Sequence, residues 1–303
     1  MKDIELWHGD CLELMKNIPD RSVDLVLVDP PYGTVKSLGS SKDGYISNFK
    51  GNEWDVPIPT KEMFIEISRV LKSKRKAIIF SQEPYTSSLI SSAIDSLPFD
   101  YRAIWYKNSS GHNLNAKHSM VNVFEDICIF SKRTDTYDHP LKEVFNNELK
   151  KSGKSRKDAV NLVGHTANHY FTNGVQFYIP SKKNFKVLKD NGFITLDYDE
   201  CVEIDKKYFE NNKGVFNLWE GNNIKSNVLQ YKKESERYHP TQKPILLLED
   251  LIKTFSNEND LVLDFTMGSG STGVACCNLN RKFIGIEKDD KFFEIAQNRV
   301  LSR

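Results

Sequence analysis

The sequence predicts an α/β protein with a mostly parallel sheet, interrupted by an insert of different composition. Short apolar runs alternate with helical patterns over residues 1–138, and the same alternation returns over 237–303. Between them, over residues 139–236, the alternation fades and asparagine, lysine and glycine become more frequent. Because alternating strands and helices are typical of parallel sheets with crossover helices, we predict that the two outer segments form one α/β domain.

The first segment contains four predicted strands and a helix between the first two. Phe64, Ile67, Val70 and Leu71 recur at helical spacing and predict that helix. The predicted strands are residues 23–28, 77–80, 101–105 and 126–130.

The last segment begins with a predicted helix, for which Pro244 is the expected start. Two strands follow, at residues 261–265 and 283–287, with a glycine-rich loop after the first. The helix has an apolar stripe of Leu248, Leu251, Ile252 and Phe255.

Composition and charge exclude several classes of protein. The 303 residues have a net charge of +1, so bulk charge does not indicate a polyanion-binding protein. The chain has no run of 18 apolar residues and its first ten residues, MKDIELWHGD, have no apolar core, so we predict neither a membrane span nor a secretion signal. The five cysteines form no CxxC pair, so we predict reduced thiols in the cytoplasm and no metal site.

Basic charge is concentrated within the insert. Residues 142–190 contain ten lysines and arginines against four aspartates and glutamates, a surplus of six positive charges. This local surplus indicates a polyanionic partner for the insert.

The glycine-rich loop predicts a nucleoside-binding site. Gly268-Ser269-Gly270-Ser271-Thr272-Gly273 follows a strand, and Glu287 ends the next strand 19 positions after Gly268. Glycines let the backbone approach a ligand closely, and an acid at this distance can accept hydrogen bonds from two ribose hydroxyls. On this motif alone, NAD, FAD and S-adenosylmethionine all remain candidates.

The strand at 23–28 runs directly into Asp29-Pro30-Pro31-Tyr32. Prolines hold this segment rigid and cannot donate backbone hydrogen bonds, so it ends the strand as a stiff tip. The Asp29 carboxylate and the Pro30 carbonyl can both accept from one amino group, and Tyr32 offers a flat face to a planar ring. Methyl transfer to the amino group of a base needs these features, whereas hydride transfer does not.

With these motifs in this order, the chain resembles the amino-group DNA methyltransferases, the class that methylates adenine N6 or cytosine N4. Within that class it resembles the β arrangement, in which DPPY lies near the N-terminus and the glycine loop near the C-terminus. Further matching segments are WHGDCLELMKNIPD (7–20), the WD of NEWDVPIP (52–59), LNAKHSMVNVFEDICIF (114–130), HPTQKP (239–244) and FIGIEKD (283–289). LNAKH with FED resembles in particular the phage and prophage adenine enzymes. The resemblance implies a Rossmann-like, S-adenosylmethionine-dependent sheet with helices on both faces.

The resemblance also implies a role for individual residues. Glu287 would bind the cofactor ribose, Asp10 the adenine amino group of the cofactor, and residues 241–243 the methionine carboxylate. The residues alone favour a turn or helix cap for Asp10 over a ligand role. The full cofactor set is Asp10, Asp29, Thr241, Gln242, Lys243, Asp264, Thr266, Gly268, Gly270, Ser271, Thr272 and Glu287. Phe265 and Thr266 depart from the family, which usually has Pro and Phe there.

The implied reaction is methylation of an adenine N6 amino group in double-stranded DNA, with the base flipped out of the helix. Asp29, Pro30, Pro31 and Tyr32 are the predicted catalytic residues. DPPY, rather than SPPY or TPPY, favours adenine. The alternatives are cytosine-N4 methylation, methylation of RNA or of a protein glutamine, a nicotinamide-dependent oxidoreductase, and a DNA-binding protein without catalysis.

The insert is predicted to recognise the target sequence. Ser155 and Asp158 form an expected capping pair for a first helix, and Gly164 an expected turn before a second. This pattern resembles a helix–turn–helix, whose second helix would read base edges. The predicted DNA contacts are Lys154, Arg156 and Lys157 to phosphates and His165, Thr166, Asn168 and His169 to bases. A basic helical hairpin without a role in a DNA groove is the alternative.

Three further expectations concern partners and a loop. The family often dimerises, so a homodimer is expected, and a cognate restriction endonuclease is a second expected partner. We predict that the loop at 33–55, which includes Lys36, Lys42 and Lys50, closes over the flipped base or contacts phosphates. A plain connecting loop is the alternative.

Overall fold

The computed structural model describes residues 3–33, 55–107, 117–118, 120–133, 139–172, 174, 176–211, 214–218, 224–236, 238–239 and 241–302. The chain divides into two compact units. The first unit joins Met1–Arg133 to Gly214–Arg303, and the second is Thr134–Lys213. The predicted loop lysines at 36, 42 and 50 lie outside the described residues.

The first unit is built on one sheet, which has eight strands in the described part of the chain. The strand order is β1-β8-β7-β2-β3-β5-β4-β6. The strands are β1 (Ile4–His8), β2 (Val23–Val28), β3 (Leu71–Ser81), β4 (Phe99–Tyr106), β5 (Phe124–Ser131), β6 (Val228–Gln230), β7 (Leu261–Asp264) and β8 (Lys282–Glu287).

The described strands are parallel except for β5, which pairs antiparallel with both β3 and β4. The predicted mostly parallel sheet is therefore confirmed. Because β5 runs against its neighbours, its first residues lie at the sheet edge where the parallel strands end. The register shows this directly, since Asp126 near the start of β5 pairs with Ser81 at the end of β3.

Helices cover both faces of the sheet. The helices of the first unit are α1 (Cys11–Leu14), α2 (Thr60–Val70), α3 (Tyr85–Ser91), α9 (Ile245–Phe255), α10 (Ser271–Asn278) and α11 (Asp290–Leu301), and residues Met15–Asn17 form a 3-10 turn. On one face, Val26 and Val28 of β2 pack in a core with Phe64 and Ile67 of α2. Their strand neighbours Leu25 and Leu27 point into the opposite core, which holds the buried stripe of α9. Burial on both faces explains why five of the six residues of β2 are apolar.

The second unit is helical in its described residues and has its own core, which includes Phe145, Phe171, Phe185 and Leu188. Its helices are α4 (Pro140–Lys151), α5 (Arg156–Val163), α6 (Ala167–Tyr170), α7 (Lys182–Asp190) and α8 (Tyr198–Asn211). The predicted capping pair is present, since Ser155 and Asp158 form a reciprocal capping box at the start of α5.

Two sequence predictions about the insert differ from the structure. The predicted insert ends at 236, whereas the second unit ends at Lys213. Residues 214–236 include β6, which extends the sheet of the first unit by pairing with β4. The second helix of the expected helix–turn–helix is a single turn, α6, and His165 and Thr166 lie before it. Four residues are too few for a helix that reads several base pairs along a groove.

Candidate active site

A cavity of about 570 Å³ lies in the first unit at the edge where β2, β7 and β8 end. Ligand sites of open α/β sheets are expected at this edge. The cavity wall includes Asp29, Pro30, Pro31 and Tyr32 together with Asp10, Thr241, Gln242, Lys243, Asp264, Thr266, Gly268, Ser271, Thr272 and Glu287. The structure therefore brings the DPPY segment and the predicted cofactor residues to one place, with Gly270 as the exception.

The glycine loop depends on two left-handed residues. Gly268 has φ of 52° and Gly270 has φ of 81°, a region that side chains other than glycine rarely adopt. A Cβ at Gly270 would lie 2.9 Å from Val300 and 3.1 Å from the Ala296 Cβ, so the loop packs closely on α11 there. Gly270 is thus needed for the turn and for packing, whereas Gly268 lines the cavity itself.

Glu287, at the end of β8, orders the backbone around the cavity. Its Oε2 accepts from the Gly268 N–H at 2.9 Å, and its Oε1 accepts from the N–H groups of Lys288 and Asp289 at 2.9 and 2.8 Å. Burial raises the pKa of this carboxyl group, against the lowering effect of the three backbone donors. Each carboxylate oxygen has two lone pairs, so Oε2 can accept a further hydrogen bond.

Asp10 caps the first helix. Its Oδ1 accepts from the Leu12 N–H at 3.1 Å, and its Oδ2 lies 3.2 Å from Lys288 Nζ. The cap that the residues alone suggested is therefore present, and the side chain also borders the cavity.

Asp264 and Thr266 place polar groups at the end of β7. Burial raises the pKa of Asp264 to about 7, although the Thr272 side chain and the Thr266 N–H donate to it and lower the pKa. The Thr266 hydroxyl is buried and has no hydrogen-bond partner among the described residues. Since buried polar groups are normally paired, this hydroxyl is available to a ligand in the cavity.

Asp29 is engaged by two side chains. Tyr32 donates its hydroxyl to Asp29 Oδ1 at 2.5 Å, and Lys243 forms a short ion pair with Oδ2. Burial raises the pKa of Asp29 more than the Lys243 ammonium lowers it. The Tyr32 ring stacks on Tyr85, with centroids 5.4 Å apart and planes 24° apart. The DPPY segment is therefore held rigid by a hydrogen bond, an ion pair and a ring contact.

Sequence reasoning missed the two residues that extend this ion pair. Glu125, the second residue of β5, lies 3.2 Å from Lys243 Nζ and 2.5 Å from Lys107 Nζ. The carboxylates of Asp29 and Glu125 raise the pKa of Lys243 although burial lowers it. A charged residue at the start of a buried strand was the available signal, but it becomes informative only when β5 is known to run antiparallel.

His239 is a packed, neutral histidine. Its Nδ1 accepts from the Thr241 N–H at 3.2 Å, and its ring makes an edge contact with Phe292. Burial, helped by the Lys243 charge, lowers its pKa to about 4. In the described ranges, no group of three or more His, Cys, Asp and Glu side chains is placed to hold a metal ion.

The predicted DNA contacts all lie in the second unit, and none of them is among the residues that line the cavity. Their side chains are exposed, except that His169 is half-buried against Tyr178. Lys154 is also a structural residue, since it donates to the Asn191 carbonyl and lies over the Phe193 ring. No described helix is long and apolar enough to cross a membrane.

A family model and two curated relatives match most of this chain. The family model described as DNA methylase matches residues 23–298. The DNA adenine methyltransferase YhdJ of Escherichia coli (strain K12) is 26% identical over 97% of this chain and 81% of its own. The Type II methyltransferase M2.LlaDCHI of Lactococcus lactis subsp. cremoris is 24% identical over 97% and 88%.

Solved structures agree on the fold. The crystal structure of the M1.HpyAVI–SAM complex superposes with a TM-score of 0.57 at 20% identity, covering 98% of each chain. The predicted Rossmann-like methyltransferase sheet is therefore confirmed, and the nicotinamide-dependent alternative is not supported. With a match over residues 23–298, this chain belongs to the DNA methylase family.

Proposed function

We propose that this protein transfers a methyl group from S-adenosylmethionine to the N6 amino group of adenine in double-stranded DNA, at a specific sequence. The observation that supports it best is the opening of Asp29 and the glycine loop into one cavity. An acceptor for an amino group and a nucleoside-binding loop are the two parts that this reaction needs. The Escherichia coli relative YhdJ is a DNA adenine methyltransferase, which favours adenine over cytosine.

The residues around the cavity fit S-adenosylmethionine. The volume falls within the roughly 300–1,000 Å³ typical of small-molecule sites. Three groups around the cavity can contact a polar nucleoside. The Thr266 hydroxyl has no hydrogen-bond partner among the described residues, and Glu287 Oε2 has a lone pair left to accept a further hydrogen bond. Gly268 has no side chain, so a ligand can approach its backbone closely. When bound, this cofactor supplies an electrophilic methyl group on a sulfonium. Thr241, Gln242 and Lys243 border the same cavity and would hold its carboxylate.

The chain's own contribution to the reaction is positioning and charge. Asp29 and the Pro30 carbonyl accept hydrogen bonds from the substrate amino group and orient its nitrogen. Asp29 also stabilises the positive charge that develops on that nitrogen. Tyr32, fixed by Asp29 and Tyr85, presents its ring to the flipped base.

The second unit is proposed to choose the DNA sequence. Its exposed basic residues Lys154, Arg156 and Lys157 would contact phosphates. His165, Thr166, Asn168 and His169 would contact bases from the turn and the short helix α6 rather than from a long recognition helix. A homodimer, a companion restriction endonuclease and action in the cytoplasm complete the proposal.

Transfer of tritiated methyl groups from S-adenosylmethionine to unmethylated genomic DNA tests the function. Hydrolysis of the labelled DNA to nucleosides separates the two target bases, and RNA and protein extracts serve as further substrates. We expect label only in DNA, in N6-methyldeoxyadenosine. Label in N4-methyldeoxycytidine would contradict the N6 assignment, and label in RNA or protein would contradict the substrate class.

The Asp29→Ala variant tests the catalytic assignment in the same assay. We expect no detectable methyl transfer, because the acceptor for the amino group is gone. Cofactor binding measured by calorimetry should persist, since the glycine loop and Glu287 are untouched. Transfer at the wild-type rate would place the catalytic acceptor elsewhere.

A further inference from the structure

Both carboxylate oxygens of Asp29 already have partners in the structure. Oδ1 accepts from Tyr32, and Oδ2 is paired with the Lys243 ammonium. A carboxylate paired with an ammonium is a weaker acceptor for an incoming amino group, because the ammonium neutralises part of its charge. The Asp29 carboxylate is therefore a stronger acceptor when Lys243 also pairs with a second anion of the chain.

Glu125 is that anion. Its Oε2 lies 3.2 Å from Lys243 Nζ. Its Oε1 is held by Lys107 at 2.5 Å, which fixes the orientation of the carboxylate. The side chains of Lys107, Glu125 and Lys243 are 8%, 14% and 5% exposed, so solvent screens this chain of charges weakly.

The arrangement follows from the sheet. Lys243 precedes α9 and Asp29 follows β2, while β5 brings Glu125 to the same edge because it runs antiparallel. One ammonium thus lies between two carboxylates that come from strands distant in sequence. We propose that Glu125 is a positioning residue that shares Lys243 with Asp29, and so leaves the Asp29 carboxylate more available to the substrate amino group.

This inference rests on the proposed function, since it explains how Asp29 stays able to accept from the substrate amino group in that reaction.

Several charged and titratable groups act on Asp29 in the structure. They are Lys243, Glu125, Tyr32, Tyr85 and Asp264. Of these, only Lys243 carries a positive charge, so its division between the two carboxylates decides how strongly an ionised Asp29 is paired.

The test replaces Glu125 with its neutral isostere. In Glu125→Gln, Lys243 keeps Asp29 as its only carboxylate partner among the described contacts, and the repulsion from Glu125 disappears. Both changes favour ionised Asp29, so its pKa should fall below the wild-type value. The measurement is a carbon-13 NMR titration of protein labelled at aspartate carboxyl carbons, without cofactor or DNA, in which Asp29→Asn identifies the signal.

The second readout is the reaction itself. We expect kcat for adenine methylation to fall at least about tenfold in Glu125→Gln, because the charge that stabilises the transition state is held by Lys243. Glu125→Asp, which keeps the charge, should retain more activity than Glu125→Gln and a titration midpoint closer to wild type. Glu66→Gln is the matched control: Glu66 is 18% exposed and pairs with Arg69 at 2.7 Å, outside the cavity.

An unmoved Asp29 midpoint in Glu125→Gln, or a wild-type kcat, would overturn the inference while leaving the proposed function intact. Loss of cofactor binding in that variant would also overturn it, since Glu125 would then serve folding. Failure of the wild-type protein to methylate DNA adenine is a different result, which would reject the proposed function instead.

Discussion

Asp264 is a buried carboxyl group whose pKa of about 7 makes stability depend on pH near neutrality. Its folded pKa lies above the unfolded value of 3.8, so the folded state binds the proton more tightly. Between pH 3.8 and about 7, this residue therefore makes the protein less stable as pH rises, with a limiting slope of about 1.4 kcal/mol per unit.

Asp264→Asn should remove that contribution, because asparagine cannot ionise. We expect the free energy of unfolding of the variant, relative to wild type, to increase as pH rises from 5 to 7 and to level off above 8. Urea denaturation at several pH values measures it. If the difference in free energy of unfolding between the two proteins did not change over this pH range, the pKa of Asp264 would not be raised by folding.

The residues of the site divide into those visible in the sequence and those visible only in the fold. Asp29, Tyr32, Gly268 and Glu287 stand in continuous motifs whose local chemistry indicates a function. Glu125 is different, because its partners Lys107 and Lys243 are brought to it by strand order and direction. Apolar periodicity contains no information on which distant charges will meet.

At the scale of elements, α11 fixes the glycine loop through Arg299. Its Nη1 donates to the Ser269 carbonyl at 2.6 Å and to the hydroxyls of Ser269 and Ser271 at 2.9 and 3.4 Å. The guanidinium also lies 4.3 Å from the centre of the Tyr238 ring, just before the HPTQKP segment. One side chain thus ties the last helix to two segments of the cavity wall.

Arg299→Ala should weaken binding of S-adenosylmethionine by about tenfold, since hydrogen bonds to a charged group contribute about 1.5–3 kcal/mol. Calorimetry measures the affinity, and Gln297→Ala provides the control because Gln297 is exposed on the same helix. Equal affinities for wild type and Arg299→Ala would show that the loop holds its shape without the arginine.

The elements that the sequence predicts well are those buried on both sides. Strand 23–28 matches β2 at both ends, and the stripe of α9 is buried as expected. The strand β1 was missed because it is short and only half-buried, and β6 because only Leu229 of its three residues is buried. The helix α6 was expected to carry His165 and Thr166, which lie before it, because the polar residues after Gly164 carry no signal of where a helix begins.

At the scale of the whole molecule, the division into two units predicts two kinds of DNA-binding variant. Arg156→Ala with Lys157→Ala should weaken binding to all duplexes and make the slope of log affinity against log salt shallower by nearly two, about 0.9 for each lost phosphate contact. His165→Ala with Asn168→Ala should instead alter which sequences are preferred. Fluorescence anisotropy over a salt series, with a specific and a random duplex, measures both.

If both double variants changed the affinity for the specific and the random duplex to the same extent, this division of roles within the second unit would be contradicted. The Lys186–Asp190 ion pair on α7 offers a control, since Lys186→Ala removes one exposed positive charge from the same unit at a position not predicted to contact DNA. We expect Lys186→Ala to leave the salt slope near the wild-type value.

The organisation into a sheet-based unit and a helical insert is predictable from the change in composition. The end of the insert cannot be predicted from composition. Residues 214–236 are polar like the insert, yet they include β6, which pairs with the sheet of the first unit. Pairing with the edge of β4 decides where they belong, and a single sequence does not record that pairing.

The identity of the methylated base tests the central claim most directly. DNA from cells that express the protein, digested to nucleosides and analysed by mass spectrometry, reports it without knowledge of the recognition sequence. We expect N6-methyldeoxyadenosine with the wild-type chain and none above background with Asp29→Ala. N4-methyldeoxycytidine in place of it, or equal amounts of N6-methyldeoxyadenosine with both chains, would contradict an adenine methyltransferase whose acceptor is Asp29.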